Sequence, residues 1–147
     1  MSDSARAQCV LFEGLATKAV TVRFEDERTS SDGGAILLKA ADRRLGMISA
    51  MAEGFTDRRD TSRVKHEIEE ILSQRIFGIA CGYEDGNDAA RLASDPVMKT
   101  LAGRDPFGED LASQPSISRF ERSATRKDLL RMGMGLMETV VHGQRRG

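Results

Sequence analysis

The spacing of apolar residues near the N-terminus indicates a single β-strand. In AVTVRFE, residues 19–25, the apolar residues Val20, Val22 and Phe24 alternate with polar ones, which is the period of a half-buried strand. One strand cannot satisfy its own backbone hydrogen bonds. The strand must therefore pair with a short neighbour, with another chain, or with a sheet that this sequence does not contain.

Beyond this strand the apolar spacing becomes helical. Ser31 or Asp32 can cap a helix that begins after TSSDGG. The pattern predicts two short helices broken near Gly46. The apolar residues on their common stripe are Leu37, Leu38, Ala41, Leu45, Ile48, Ala52 and Phe55.

The clearest helix is predicted for DTSRVKHEIEEILSQRIFGIACGY, residues 60–83. Its apolar face holds Val64, Ile68, Ile71, Leu72, Ile76 and Ile79. Its polar face holds Lys65, His66, Glu69, Glu70, Ser73 and Gln74. HEIEE lacks the second histidine of a zinc-protease motif, so we predict that His66 is solvated on the polar face.

The acidic segment that follows, residues 84–88, favours a turn over a metal site. Counted from Asp85, the glycine and glutamate of a calcium loop are missing, and only Cys81 is near enough in sequence to serve as a zinc ligand. We predict that Gly82 ends the preceding helix. Asn87 or Asp88 would then cap a helix that starts at Ala89.

The C-terminal third is predicted to form a loop and two more helices. Residues 103–114, GRDPFGEDLASQ, are typical of a loop, and Ser113 can cap the helix that follows, with Pro115 in its first turn. In the last helix, Gly133 and Gly135 either weaken the helix or allow close packing. Its apolar side holds Leu129, Leu130, Leu136, Met137, Val140 and Val141.

Composition fits one mainly α-helical domain. The chain has 147 residues, 31% of them charged and 39% apolar. No apolar run approaches the length of a membrane span, and the N-terminus lacks a signal-peptide core, so we expect a cytoplasmic protein with no membrane partner. We expect Cys9 and Cys81 to be free thiols.

Charge is unevenly distributed along the chain and points to a basic C-terminal region. Residues 84–110 carry three basic and seven acidic side chains, whereas residues 111–147 carry seven basic and three acidic ones. A polyanion would therefore bind the C-terminal part, although a solvated arginine-rich face explains the same excess.

A helix over residues 117–126 would separate an apolar face from a donor-rich face. Ile117, Phe120 and Ala124 would pack behind it. A DNA recognition helix has this arrangement, and so does a surface helix with solvated arginines. The candidate DNA-binding residues on the other side and in the first turn are Gln114, Ser116, Ser118, Arg119, Arg122 and Arg126.

Two long segments resemble one protein family. RVKHEIEEILSQRIFGIACGYEDGNDAARL and LASQPSISRFE are similar to the N-terminal region of bacterial insertion-sequence transposases that have a DDE-type, RNase H-like catalytic core. The resemblance runs from about residue 20 to about residue 140. It implies a largely helical region that binds the inverted-repeat ends of the element, and a sheet in the following core that could receive the orphan strand.

The resemblance also implies catalytic residues that this sequence lacks. The family's core holds two divalent metals such as Mg²⁺ between two aspartates and a glutamate, and its first aspartate lies in a D-x-D-A-T-D-D type stretch that is not found here. We assign no catalytic or metal-binding residue and no cofactor to this chain. We expect a truncated or frameshifted copy, or a fragment, that does not cut DNA alone.

These observations give five segments and three functional hypotheses. The segments are a flexible N-terminus at 1–18, the orphan strand at 19–28, a helical region at 29–110, a basic helix pair resembling a helix-turn-helix at 111–141, and a tail at 142–147. The chain is the DNA-binding portion of a transposase, a free-standing DNA-binding regulator or transposition inhibitor, or a helical interaction module without DNA binding. The sequence leaves open whether the chain forms a homo-oligomer.

Overall fold

The computed structural model describes residues 30–144, and within them the protein is mainly helical, as the sequence predicts. The strand predicted over residues 19–28 and the flexible N-terminus lie outside the described residues. The helices are α1 (Ala35–Leu45), α2 (Met47–Gly54), α3 (Ile68–Ala80), α4 (Ala89–Leu92), α5 (Pro96–Leu101), α6 (Gln114–Ser123) and α7 (Arg126–Gln144).

The break between α1 and α2 is confirmed at Gly46, which has a φ of 68°, a left-handed conformation that glycine adopts without strain. Asp42 is buried in the turn, and its carboxylate accepts a hydrogen bond of 2.9 Å from the amide of Ile48, which caps α2. The predicted cap by Ser31 or Asp32 is wrong, because α1 begins with no side-chain cap.

Helix α3 starts later than the sequence pattern predicts. Glu67 has an extended backbone, and only a short 3₁₀ turn at Thr61–Arg63 precedes it. The Asp60 carboxylate caps that turn by accepting from the amide of Ser62, so the polar residues before α3 form local turn structure instead of a first helical turn.

The predicted polar face of α3 is largely buried, and the prediction of a solvated His66 is wrong. His66 Nδ1 lies 2.6 Å from Glu70 Oε1, and Arg104 Nε lies 3.1 Å from the same oxygen. Gln74 donates a hydrogen bond of 2.9 Å to the carbonyl of Ala112. Residues 102–113 form the predicted loop, which supplies Arg104 and Ala112 and covers this side of α3.

The acidic segment after α3 forms a turn, as the sequence indicates. The carboxylate that caps this turn is that of Asp85. Gly82 follows the end of α3 with a φ of 92°. The Asp85 carboxylate accepts a 3.0 Å bond from the amide of Asn87, whereas Asp88 makes no side-chain cap for α4. Helix α4 begins at Ala89 with Asp88 at its N-cap position, both as predicted, but no backbone amide of α4 donates to the Asp88 carboxylate.

Helices α2 and α7 pack closely because glycines lie at their contact. A Cβ added at Gly54 would lie 2.6 Å from the backbone nitrogen of Met132, and one added at Gly135 would lie 2.7 Å from the carbonyl oxygen of Ala50. Of the two sequence alternatives for Gly135, the structure selects close packing. A Cβ at Gly133 would meet nothing within 4 Å.

Helix α7 presents most of its large apolar residues to the outside, in contrast to the packed face that the apolar pattern suggests. The side that faces the protein holds Asp128, Met132 and Gly135. Six large apolar side chains of this helix are exposed: Leu129, Leu130, Met134, Met137, Val140 and Val141. The helix also continues to Gln144, past residue 141, where the predicted helix pair ends.

The core lies where α2, α3, α5 and α6 meet. Met98, Leu101 and Ala112 are completely buried there, with Ile71 and Ile48 beside them. Among the helices of the described chain, none is both long enough and apolar enough to cross a membrane.

Candidate nucleic-acid interface

Helix α6 begins where its sequence predicts. Ser113 is the N-cap residue, and Pro115 lies in the first turn, where a missing amide costs no intrahelical hydrogen bond. The hydroxyl of Ser113 does not cap a backbone amide. It lies 3.1 Å from the hydroxyl of Ser116 instead.

The inner face of α6 is anchored as predicted. Ile117 is 2% exposed and Phe120 is buried, with its ring centroid 4.8 Å from that of Phe55 at the end of α2. Burial of each of these side chains stabilises the fold by about 1.5–3 kcal/mol relative to full exposure. Helix α6 is thus fixed from behind, as a helix that reads DNA must be.

An ion pair sets the orientation of α6 relative to α3. Arg75 Nε lies 2.7 Å from Glu121 Oε1, and the same guanidinium donates 2.9 Å to the carbonyl of Glu84. Arg75 thereby joins α3, the acidic turn and α6. Because its donors are occupied, this arginine is a positioning residue and not a free cation.

The outer face of α6 holds the candidate donors together. The Gln114 amide donates 3.2 Å to the hydroxyl of Ser118, and Arg119 Nη2 lies 3.5 Å from the hydroxyl of Ser116. Arg119 and Arg122 are exposed. Five of the six candidates therefore share one helix, with their polar atoms toward solvent or toward each other.

The sixth candidate, Arg126, belongs to a different helix. The backbone of Ala124 is extended, with ψ of 124°, so α6 ends at Ser123 and the single helix predicted over 117–126 is wrong. Arg126 opens α7, and its neighbour Lys127 is exposed beside it. Within residues 30–144, neither Arg122 nor Arg126 forms an ion pair or side-chain hydrogen bond.

Asp128 fixes the junction between α6 and α7. The amide of Thr125 donates 2.9 Å to its carboxylate, and the amide of Asp128 donates 3.2 Å to the hydroxyl of Thr125. This reciprocal pair is a capping box, which satisfies amides at the start of α7. The T-x-x-D spacing in TRKD is the sequence signal for this box, and neither residue was among the predicted capping residues.

The same carboxylate joins α7 to the segment after α2. Arg58 Nη1 lies 2.9 Å from Asp128 Oδ2, Arg131 Nη2 lies 2.6 Å from Oδ1, and the amide of Thr56 donates 3.3 Å to Oδ1. These donors, Arg58 and Thr125 above all, hold the pKa of the Asp128 carboxyl well below its usual range. Asp128 therefore stays charged and fixes the start of α7, where Arg126 lies.

A concave surface away from the outer face of α6 has different chemistry. A groove of about 790 Å³ runs between the start of the described chain and the loop after α5. Its charged groups are engaged: Tyr83 donates 2.8 Å to Asp32, and Lys99 Nζ lies 3.0 Å from Asp110 Oδ1. With three aspartates among its lining residues, this groove does not favour a polyanion.

The described residues do not fit a two-metal site. No group of three or more His, Cys, Asp or Glu side chains within residues 30–144 could hold a metal ion. The carboxylates discussed above are bound to arginine, lysine, histidine or tyrosine side chains or to backbone amides.

Comparison with models of known protein families gives a match. A family model described as transposase DDE domain group 1 matches residues 12–146. No curated protein and no solved structure matches the chain significantly.

Proposed function

The chain belongs to the family of transposase DDE domains of group 1, and on this premise we propose that α6 and the first turn of α7 form its DNA-binding surface. Family membership gives the chain a role in transposition and makes DNA its partner. The finer proposal concerns which residues meet the DNA and which DNA they meet.

The observation that carries this proposal is a set of exposed arginines without a carboxylate partner on an anchored helix. Arg119 and Arg122 project from α6, whose other face is buried through Ile117 and Phe120. An arginine without a protein carboxylate keeps its full charge for phosphates and its donors for base edges. Helix rigidity reduces the conformational entropy that binding would cost.

Arg126 extends this surface onto α7. The first amides of a helix favour a phosphate, but here the capping box already occupies amides at Thr125 and Asp128. Arg126 and Lys127 therefore contribute through their side chains. We propose that Gln114, Ser116 and Ser118 contact the DNA beside Arg119, and that the target is the inverted-repeat end of the element.

Binding to duplexes made from the ends of the DNA element tests the surface. Anisotropy titrations between 50 and 200 mM salt, roughly the range over which phosphate contacts weaken measurably, should give a steep salt dependence. Arg119→Ala with Arg122→Ala should weaken binding and reduce the slope of log K against log salt by about two.

The matched control removes two other exposed arginines. Arg43 and Arg44 lie in the last turn of α1, outside the proposed surface. Arg43→Ala with Arg44→Ala should leave the slope within about half a unit of the wild-type value. Equal effects of the two double variants would reject α6 as the binding surface, and a mixed-sequence duplex of equal length separates end recognition from general phosphate binding.

We also propose that this chain binds DNA without cutting it. Support comes from its sequence, which lacks the aspartate-rich stretch of the D-x-D-A-T-D-D type. Incubation with end duplexes and Mg²⁺ or Mn²⁺ should leave both strands intact, and metal-dependent nicking by the purified chain would contradict this. Since two inverted ends require two binding units, we include self-association in the proposal.

A further inference from the structure

The two exposed arginines of α6 occupy different positions around the helix. At about 100° per residue, Arg122 lies about 140° from Ile117 and about 160° from Phe120, almost opposite the buried face. Arg119 lies only about 100° from Phe120 and is therefore on one flank of the helix. Arg122 thus occupies the outermost position of α6.

The contacts of the two side chains differ in the same way. Arg119 Nη2 lies 3.5 Å from the hydroxyl of Ser116, which is about one turn earlier and farther round the same flank. Within residues 30–144, Arg122 forms no ion pair and no side-chain hydrogen bond. Its planar guanidinium therefore keeps all its donors for a partner outside the protein.

The opposite flank of α6 is acidic. Glu121 lies there, about 160° from Arg119 around the helix axis, and its carboxylate lies 2.7 Å from Arg75 Nε. Arg75 also donates to the carbonyl of Glu84, so the acidic turn, with Glu84 and Asp85 exposed, lies beside this flank. Phosphates are repelled from this side of α6 and attracted to the side of Arg119.

We propose that Arg122 reads a guanine in the major groove, whereas Arg119 and Ser116 bind a phosphate at the edge of the groove. The inference rests on the proposed DNA-binding function of α6 and deepens it by giving each arginine its own task. A helix in the major groove turns its outermost residues toward the base edges and its flanks toward the sugar–phosphate backbones.

Guanine fits the free guanidinium of Arg122 better than the other bases do. Its N7 and O6 atoms are two neighbouring acceptors in the major groove, and an arginine binds both through parallel hydrogen bonds. Adenine offers one acceptor beside a donor, and cytosine offers a donor. Either donor would oppose an arginine N–H. Glu121, the acidic residue of α6, is held on the flank by Arg75 and does not change this preference.

The pair Arg119 and Ser116 suits a phosphate. Arginine and serine both donate to phosphate oxygens, and such contacts set the position of a protein on DNA without reading the sequence. The two side chains lie close enough to share one phosphate group. Loss of Arg119 should therefore weaken binding to every duplex, whereas loss of the Arg122 fork should weaken binding only where the guanine is present.

Lysine substitutions test this division, because lysine keeps the charge and removes the planar fork. Anisotropy titrations measure the affinity for end duplexes in which each base pair is replaced in turn. For wild-type protein, replacing one G·C pair by A·T should weaken binding at least about fivefold. Arg122→Lys should reduce this penalty to less than about twofold. The slope of log K against log salt should stay within about half a unit of the wild-type value.

Arg119→Lys is the matched control, since it makes the same substitution three residues earlier on the same helix. It should change the affinity for all duplexes by one common factor and keep the guanine penalty. A duplex with 7-deazaguanine at the sensitive position, which lacks the N7 acceptor, should weaken binding by wild-type protein and by Arg119→Lys. The same duplex should change binding by Arg122→Lys less than about twofold.

The other outcomes are decisive as well. A guanine penalty that Arg122→Lys leaves intact, or that Arg119→Lys removes instead, would overturn the assignment. Wild-type protein that binds every duplex equally, with a steep salt dependence, would overturn the inference and leave the DNA-binding function standing. Wild-type protein that binds no duplex would overturn both. Circular dichroism checks that each variant is folded.

Discussion

Arg58 and Asp128 lie 70 residues apart in the sequence, and Arg58 Nη1 lies 2.9 Å from Asp128 Oδ2. The Asp128 carboxylate is completely buried and also caps α7 through Thr125. One side chain therefore fixes where α7 starts, how it joins the segment after α2, and where Arg126 stands relative to α6.

Asp128→Asn should destabilise the fold. The asparagine side chain would lack the negative charge that holds Arg58 and Arg131. Its NH₂ group would also lie against the donors of these arginines. We expect the Tm to fall by at least about 5 °C, measured by thermal unfolding at pH 7. Glu138→Gln removes one charge from an exposed position of the same helix and should shift the Tm by less than about 2 °C.

Acid should remove the stability that the ionised Asp128 carboxylate contributes to the fold. Its folded-state pKa is depressed, so its contribution is complete above the unfolded pKa of about 3.9 and is lost as the pH falls below that value. The Tm difference between wild type and Asp128→Asn should be constant from about pH 5 to 7 and shrink below about pH 4. A difference that grows on acidification would be inconsistent with this sign.

Gly135→Ala should be destabilising, whereas Gly133→Ala should be stabilising. The added methyl at residue 135 would meet the carbonyl oxygen of Ala50 at 2.7 Å and force α2 from α7. We expect a loss of about 1–3 kcal/mol in the free energy of unfolding by urea. At residue 133 the space is open, and alanine should add about 0.5–1 kcal/mol through helix propensity. Similar values for both variants would refute the close contact.

Glu70→Ala should leave the buried His66 without its partner and remove the ion pair with Arg104, whose side chain is 37% exposed. Glu70 Oε1 lies 2.6 Å from His66 Nδ1 and 3.1 Å from Arg104 Nε, beneath the loop that precedes α6. We expect urea denaturation to show a loss of about 1–3 kcal/mol. Glu69→Ala, at the exposed neighbouring position of α3, is the matched control and should change stability by less than about 0.5 kcal/mol.

Local rules succeeded where a short segment fixes its own conformation. The sequence predicts the break at Gly46, the turn after Gly82, the loop before α6 and the start of that helix, because glycine and proline act within a few positions. The buried pair Ile117 and Phe120 also follows from periodicity, since α6 has only one apolar side.

Periodicity failed where the partner of a face decides its burial. The helical pattern predicts solvated positions for His66, Glu70 and Gln74. In the structure the loop of residues 102–113 covers these side chains, and its Arg104 and Ala112 contact Glu70 and Gln74. The apolar residues of α7 look like core, yet glycines let α2 approach the opposite side. Such contacts join residues far apart in sequence, which periodicity does not encode.

The sequence by itself determined that this protein is mainly helical, that basic charge gathers toward its C-terminus, and that it resembles transposases, because composition, local propensity and long similar segments need no three-dimensional partner. Only the tertiary structure decided that Asp128, which caps the start of α7, is also held by Arg58 from the segment after α2. A buried carboxylate is stable only where distant donors converge on it, and the fold alone brings Arg58 there.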